Sequence, residues 1–363
     1  MKEIWKRTII IVNPIRGEIS NPKKGGDMYV KQIIDKFISM GFNVIILSSS
    51  CSTSKNKQIS CYTFPAIKGV GILFLDLNMP YLFKLIRVLK KAKSKSQLVL
   101  NGPFGAISTY IVSRVTNTKM VYIAHNVEAE RYLERSVFEH ESKLSWLLSR
   151  IVPVFESFAV KANVIISISS ADKNRFVMRY NIPPDKILVC FPRIRPHYKS
   201  INKNTKGNII KLVFHGSYRY LPNKEAIELI REYISKNVSC KNVKSVVFGS
   251  GAPTIKDKKD NFESLGFVDD LYGFLSSCDI AIVPLKKGAG VKIKMLDYMS
   301  VGLPIVTTKK GAEGLELVKG KHAIIVDDVN EEFVKAIRYL IENPKIRKKL
   351  GHNARKLAEK KYN

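Results

Sequence analysis

The chain has 363 residues, of which 45% are hydrophobic and 25% charged, with 21 glycines and 15 prolines in no repeating pattern. This length points to two domains, the composition excludes a fibrous or disordered chain, and no apolar run approaches the ~18 residues of a membrane span. The charge is unusual: 61 Lys and Arg against 31 Asp and Glu give a net +30, with 31 basic and 13 acidic side chains in residues 1–200 and 30 and 18 in residues 201–363. The excess belongs to both halves and suits anionic partners, whether nucleic acid, an anionic membrane face or phosphorylated small molecules.

At the start, Lys2, Lys6 and Arg7 precede an apolar run, Ile9–Val12, that is too short for a signal-peptide core. It reads as a first buried strand, and the chain is expected in the cytoplasm. Strands are expected over Thr8–Val12, Asn43–Ser48, Gln97–Leu100, Lys119–Ala124 and Val164–Ser167, with a helix over Asp27–Met40. A second helix over residues 81–95 places Tyr81, Leu82, Leu85, Val88, Leu89 and Ala92 on one face, and Lys84, Arg87, Lys90, Lys91, Lys93 and Lys95 mostly around the other. Two readings stay open for it: a packed helix with a solvated face, or a surface helix that meets anionic lipid. The stretch FPRIRPHYKSINKNTKGN, residues 191–208, is polar, proline-containing and without apolar periodicity, which suits a linker. Beyond it, strands are expected over Ile210–His215, Ser245–Phe248, Ile280–Pro284, Ile305–Thr307 and Ala323–Val326, with helices over Lys224–Lys236, Leu271–Ser276 and Glu331–Glu342. Alternating β and α elements predict parallel sheets covered by helices, twice over. The expected fold class is therefore α/β, with a doubly wound domain over 1–195, a linker over 196–208 and a second such domain over 209–363. Ligands of such sheets bind at the carboxyl ends of strands, so the active site is expected in a cleft between the two domains.

The five cysteines, Cys51, Cys61, Cys190, Cys240 and Cys278, form no CxxC. Reduced buried thiols are expected, with a Cys51–Cys61 bridge as the alternative. The six histidines show no zinc-site spacing, and no metal is expected.

The segment PLKKGAGVKIKMLDYMSVGLP, residues 284–304, carries the most chemistry. A buried strand ends at Pro284, Gly288 and Gly290 flank Ala289, and a helix follows that stops near Gly302. Such a turn admits phosphate to backbone N–H groups at a helix N-terminus. Gly290, Lys294 and Asp297 fall at i, i+4 and i+7, on one face. That row fits a sugar nucleotide, with Lys294 against the diphosphate and Asp297 on the ribose; it equally fits a surface ion pair on a packed helix. His125 follows the strand ending YIA, where ligands bind, and could serve a sugar hydroxyl or be satisfied by loop backbone. Gly25-Gly26, Gly216-Ser217 and Gly249-Ser250-Gly251 mark further strand-to-helix turns. There is no GxxxxGK[ST] loop, no GxSxG elbow and no DxD.

Together these segments resemble the retaining glycosyltransferases of family 4, which have the GT-B fold of two Rossmann-like domains facing across a cleft. The resemblance covers nearly the whole chain and rests on AHNVEAERY at 124–132, FHGSYRYLPNKEAI at 214–227 and LGFVDDLYGFLSSCDIAIVPLKKGAGVKIKMLDYMSVGLPIVTTKKGAEGL at 265–315. It implies a hexose-type transfer, with retention of configuration and without metal, from a UDP- or GDP-sugar held by the second domain to a glycan or lipid-diphosphate-linked acceptor held by the first. By position, His125 is implied at the transferred sugar, and Gly25, Gly26 and Glu128 on the acceptor side. Gly216, Ser217, Gly288, Gly290, Lys292 and Lys294 are implied around the diphosphate, Phe267 and Val268 at the base, and Asp297 at the ribose. This sequence departs from the family at Ala289, where a glutamate is usual, and at Asp297, one methylene shorter than the usual glutamate. Ser217 and Asn223 stand where many members place Arg and Lys, so Lys292 and Lys294, with Arg219 or Lys224, would supply the charge. The expected place of work is the cytoplasm, in peripheral contact with an anionic membrane. A sugar-nucleotide epimerase or hydrolase and a non-catalytic partner subunit are the alternatives; nucleic acid is not expected, because no recognition module is present.

Overall fold

The computed structural model describes residues 8–13, 25–49, 56–64, 79–92, 96–138, 142–194, 209–238, 242–257 and 261–363. The chain divides into two compact units, Met1–Pro192 and Arg193–Asn363. Residues 196–208, expected as the linker, lie outside the described ones.

The first unit is built on seven parallel strands: β1 (Thr8–Asn13), β2 (Asn43–Ser48), β3 (Ile59–Thr63), β4 (Ser96–Asn101), β5 (Met120–Ala124), β6 (Val164–Ser167) and β7 (Ile187–Val189). Their order is β3-β2-β1-β4-β5-β6-β7. Central β1 reads TIIIVN because both of its faces are covered, and Ile9 to Val12 are at most 1% exposed. The winding reverses between β1 and β4, which pair in parallel, and this is the switch point at which such sheets take ligands. The helices are α1 (Gly25–Ser39), α2 (Met79–Ala92), α3 (Ala106–Val115), α4 (Glu128–Phe138), α5 (Lys143–Ala159) and α6 (Ser170–Tyr180).

The expected apolar face of α2 packs into the sheet, so it is unavailable to lipid: Tyr81, Leu85, Val88 and Leu89 are buried in the core, and the Tyr81 hydroxyl bonds that of Thr109 at 2.7 Å. The outward face instead carries exposed Met79 and Phe83 among Arg87, Lys90 and Lys91. Among the described residues no helix is long and apolar enough to cross a membrane.

The second unit repeats the plan with β8 (Ile210–His215), β9 (Val243–Phe248), β10 (Thr254–Asp257), β11 (Phe262–Leu265), β12 (Ile280–Val283), β13 (Ile305–Thr308) and β14 (Ile324–Val326). The order is β10-β11-β9-β8-β12-β13-β14, all parallel except the antiparallel edge pair β10–β11. Its switch point lies between β8 and β12. Helix α7 (Leu221–Leu229) runs on through a π-turn, Ile230–Ile234, into α8 (Ser235–Asn237). The others are α9 (Leu271–Ser276), α10 (Ile293–Ser300), α11 (Lys309–Ala312), α12 (Glu331–Glu342) and α13 (Pro344–Lys361). Helix α10 stops at Gly302, whose φ of 71° suits glycine. Gly351 of α13 packs on that stop so closely that a β-carbon would overlap the Gly302 carbonyl oxygen.

Strands β3, β7, β10 and β11 were not expected, and β10 breaks the all-parallel expectation. All four are short and stand at or next to sheet edges, where burial on two faces no longer enforces an apolar run. The expectation of reduced thiols holds for Cys190 and Cys278 but not for Cys61, which is held in a disulfide.

Candidate functional site

Both units end their central strands in polar side chains. In the first, β1 ends at Asn13, β4 at Asn101, and His125 follows β5. Asn101 donates its amide N–H to Asn13 Oδ1 at 3.0 Å, and its Oδ1 lies 2.6 Å from His125 Nε2. An amide oxygen can only accept, so the imidazole carries its proton on Nε2 and leaves Nδ1 as a lone pair. That Nδ1 lies 3.7 Å from where a Gly26 β-carbon would stand, and the ring packs edge-to-face with Tyr29, the ring centres 5.6 Å apart. Burial, reinforced by Arg131 against the opposing pull of Glu128, lowers the His125 pKa, which keeps the ring neutral.

Glu128, expected on the acceptor side, is 5% exposed and already engaged. It accepts from Asn126 Nδ2 at 3.1 Å and from Arg131 Nε at 2.6 Å. The residue that holds this turn in place was not foreseen. Fully buried Glu156 of α5 caps the start of α4, accepting from the backbone N–H of Glu128 (2.8 Å) and Ala129 (3.0 Å). It also accepts from the hydroxyls of Tyr180 (2.7 Å) and Tyr122 (3.3 Å). Burial pushes its carboxyl up to about 7, against the opposing pull of those hydrogen bonds.

In the second unit three glycines close the carboxyl edge. Gly216 N donates to Phe248 O at 3.0 Å, and Gly249 N to Gly266 O at 2.7 Å. Gly249 has φ 148°, and a β-carbon there would overlap the Gly216 carbonyl oxygen. Lys294 of α10 reaches this edge. Its Nζ donates to Asn223 Oδ1 at 2.6 Å, lies 3.9 Å over the Phe214 ring, and stands 2.6 Å from where a Gly216 β-carbon would be. Asn223 is fixed in turn by donating to the Ser217 carbonyl at 2.9 Å. Burial, and then the like charge of Lys292, drive the Lys294 ammonium well below its ordinary pKa.

One turn along α10, Asp297 accepts from the Tyr272 hydroxyl at 2.6 Å, and its other oxygen lies 3.5 Å from His215 Nε2. Burial, with Lys294 nearby, pushes His215 down to about 3, so this contact is not an ion pair at neutral pH. Phe267, just past β11, is 69% exposed, while Val268 is half-buried. Arg219 and Lys224 are exposed at the start of α7. Gly288 has φ 105° and packs under the Tyr220 hydroxyl, 2.8 Å from its would-be β-carbon. The fold therefore brings Gly216, Ser217, Asn223, Lys294 and Asp297 to one strand edge. It turns Lys292 away, onto the carbonyls of its own loop. His215, Tyr272 and Glu156 complete the two clusters without having been foreseen. Among the described residues no group of three or more His, Cys, Asp or Glu could hold a metal ion.

Comparison with known proteins gives the family and the fold. The family described as Glycosyltransferase Family 4 matches residues 24–193, and that described as Glycosyl transferases group 1 matches residues 210–343. An uncharacterized glycosyltransferase of Methanocaldococcus jannaschii, MJ1069, is 25% identical over 269 residues, spanning 69% of this chain and 66% of that protein. The crystal structure of Anabaena HepE in complex with UDP-glucose superposes with a TM-score of 0.67 at 14% identity, over 98% of this chain and 96% of that one. WaaG, a glycosyltransferase involved in lipopolysaccharide biosynthesis, gives 0.66 at 16% identity over 97% and 95%. Two family matches that between them take in both sheets, on a fold shared with GT-B enzymes, place this chain in glycosyltransferase family 4.

Proposed function

We propose that the chain moves a hexose-type sugar from a UDP- or GDP-sugar to a glycan or lipid-diphosphate-linked acceptor, with retention of configuration and without metal. The observation that carries this reading is Lys294, a desolvated ammonium packed on a glycine backbone at a sheet switch point. A cation whose charge is penalised by burial gains most when an anion such as a diphosphate arrives. Asp297, one turn on, suits ribose hydroxyls, and exposed Phe267 suits a base. That HepE binds UDP-glucose supports the donor class.

In the first unit, which we assign to the acceptor, His125 offers Nδ1 as an acceptor for a sugar hydroxyl, its orientation fixed by Asn101. In the transfer, the bond from the anomeric carbon to the diphosphate oxygen breaks, and a bond to the acceptor oxygen forms on the same face. The acceptor's hydroxyl proton passes to the departing diphosphate, and the lysine charge stabilises that leaving group. The outward face of α2, with Phe83 among Arg87, Lys90 and Lys91 and no acidic residue in the helix, suits peripheral contact with an anionic membrane that carries the acceptor.

Ala289 favours a second reading, a subunit that supports an active transferase, because the family's usual carboxylate is missing there. Labelled UDP- and GDP-hexoses, incubated with the chain and a lipid-linked glycan fraction, separate the two. Transfer from one donor, abolished in Lys294→Ala, is expected. Release of free sugar alone would make the chain a hydrolase, and no turnover of any donor, with copurification of a transferase, would make it the subunit.

A further inference from the structure

Lys292 is 8% exposed, and its ammonium is engaged by its own loop. It donates to the Gly288 carbonyl at 2.7 Å and the Gly290 carbonyl at 2.6 Å, and it lies 3.6 Å from Glu313 Oε2. Two of the ammonium's three protons thus go to carbonyls of its own loop, and the Glu313 carboxylate stands at ion-pair distance. Glu313 is itself held by Lys310 at 3.0 Å. Both glycines lie in the left-handed region, with φ of 105° and 75°, and this brings two carbonyls of one short loop onto a single cation. No peptide bond here is cis, so each carbonyl turned towards Lys292 turns the N–H of the same peptide unit away from it. Those are the N–H groups of Ala289 and Val291, and neither donates to a protein acceptor among the described residues.

We propose that Lys292 is a positioning residue and not a phosphate ligand: its buried ammonium clamps the Gly288–Gly290 loop, so that the Ala289 and Val291 N–H groups are held ready for an anionic oxygen of the donor diphosphate. The inference rests on the proposed donor class and sharpens it. A cation behind the loop polarises both peptide units, and donors fixed in advance cost no reorganisation when the anion arrives. The missing carboxylate at Ala289 follows the same logic, since a side-chain charge there would crowd a loop organised around its backbone. The clamp also requires lysine in particular. A planar guanidinium cannot replace a compact ammonium between two carbonyls in a buried space, whereas it readily replaces one that binds a phosphate.

The test compares the full chain with Lys292→Met, Lys292→Arg and Glu313→Gln in two measurements. The first is hydrogen exchange of peptides covering residues 285–296 without ligand. The second is the dissociation constant for UDP and GDP. The clamp predicts exchange at least tenfold faster over 285–296 in both Lys292 variants, with other peptides unchanged. It predicts diphosphate affinity about tenfold weaker in both, and Glu313→Gln no tighter than wild type. Wild-type exchange in Lys292→Met would overturn the proposal, as would wild-type affinity in Lys292→Arg. Tighter diphosphate binding by Glu313→Gln would also overturn it, because freeing the cation can help only if the cation itself meets the phosphate. Should Lys292→Met fail to fold, Glu313→Gln still decides by the sign of its effect. If wild type binds neither UDP nor GDP, the donor assignment fails, while the exchange comparison still decides the clamp.

Discussion

Glu156 links stability to pH with a definite sign. Its carboxyl is raised from 4.5 to about 7, chiefly by burial. The native state therefore holds this proton more tightly than the unfolded chain, and the group's contribution to stability falls as pH rises from about 4.5 to 7. That rise corresponds to about 3 kcal/mol. Glu156→Gln keeps the shape and one acceptor oxygen but cannot ionise. At pH 5 both side chains are neutral in the native state, and the variant is offset by the cost, the same at every pH, of turning its amide NH2 towards a backbone N–H. At pH 8 wild type buries a charge that the variant does not. The difference between them therefore shifts by about 3 kcal/mol in favour of glutamine. For a unit of this size that is about 6–12 °C in melting temperature. Other titrating groups, His125 and His215 among them, cancel in the difference. Melting curves of both proteins at half-unit pH steps between 5 and 8 read it directly. A difference that does not change with pH would mean that the four donors around Glu156 fully offset its desolvation and that its carboxyl is not raised.

The two glycines at the carboxyl edge of the second sheet are expected to part company. Gly249→Ala forces a β-carbon into the Gly216 carbonyl at φ 148° and should cost several kcal/mol, read as a lowered melting temperature or loss of soluble protein. Gly216→Ala meets only the movable ends of Lys294 and Asn223, so it should fold and yet lose its thermal response to nucleotide. Asn101→Leu removes the acceptor that fixes the His125 tautomer; circular dichroism should stay native while sugar transfer falls at least tenfold. Reversing Arg87, Lys90 and Lys91 to Glu should abolish sedimentation with phosphatidylserine vesicles at low salt without changing the melting temperature by more than a few degrees.

The alternation of β-branched runs with amphipathic stretches was enough to read ten of the strands, because a strand buried on both faces, such as TIIIVN, has no freedom to carry polar residues in its middle. The edge strands escaped because that constraint weakens there. Strand ends carried a signal that was used only in part. Asn13, Asn101 and His215 each close an apolar run with a polar side chain, and all three belong to the clusters. The glycine turns and the Lys294–Asp297 spacing were legible for a simple reason: local geometry places i+4 and i+7 on one helix face whatever the tertiary fold. Glu156 was not legible. Its partners are the first N–H groups of a different helix, and nothing in FESFAV announces a cap for a segment 28 residues upstream. The side of the loop on which Lys292 lies was not legible, for a related reason. Sequence shows a cation beside a phosphate loop but not on which side of the backbone it lies, and two left-handed glycines decided that.

By this reading Lys294 marks a nucleotide-diphosphate site. Thermal shift of the wild-type chain and Lys294→Ala against UDP, GDP and their hexose conjugates tests it most directly. A ligand at about a hundred times its dissociation constant adds about 2.7 kcal/mol to the folded state. That should raise the melting temperature by about 5–11 °C for one base, with the rise largely lost in the variant. No rise with any nucleotide, or an equal rise in Lys294→Ala, would mean that Lys294 does not meet a nucleotide diphosphate.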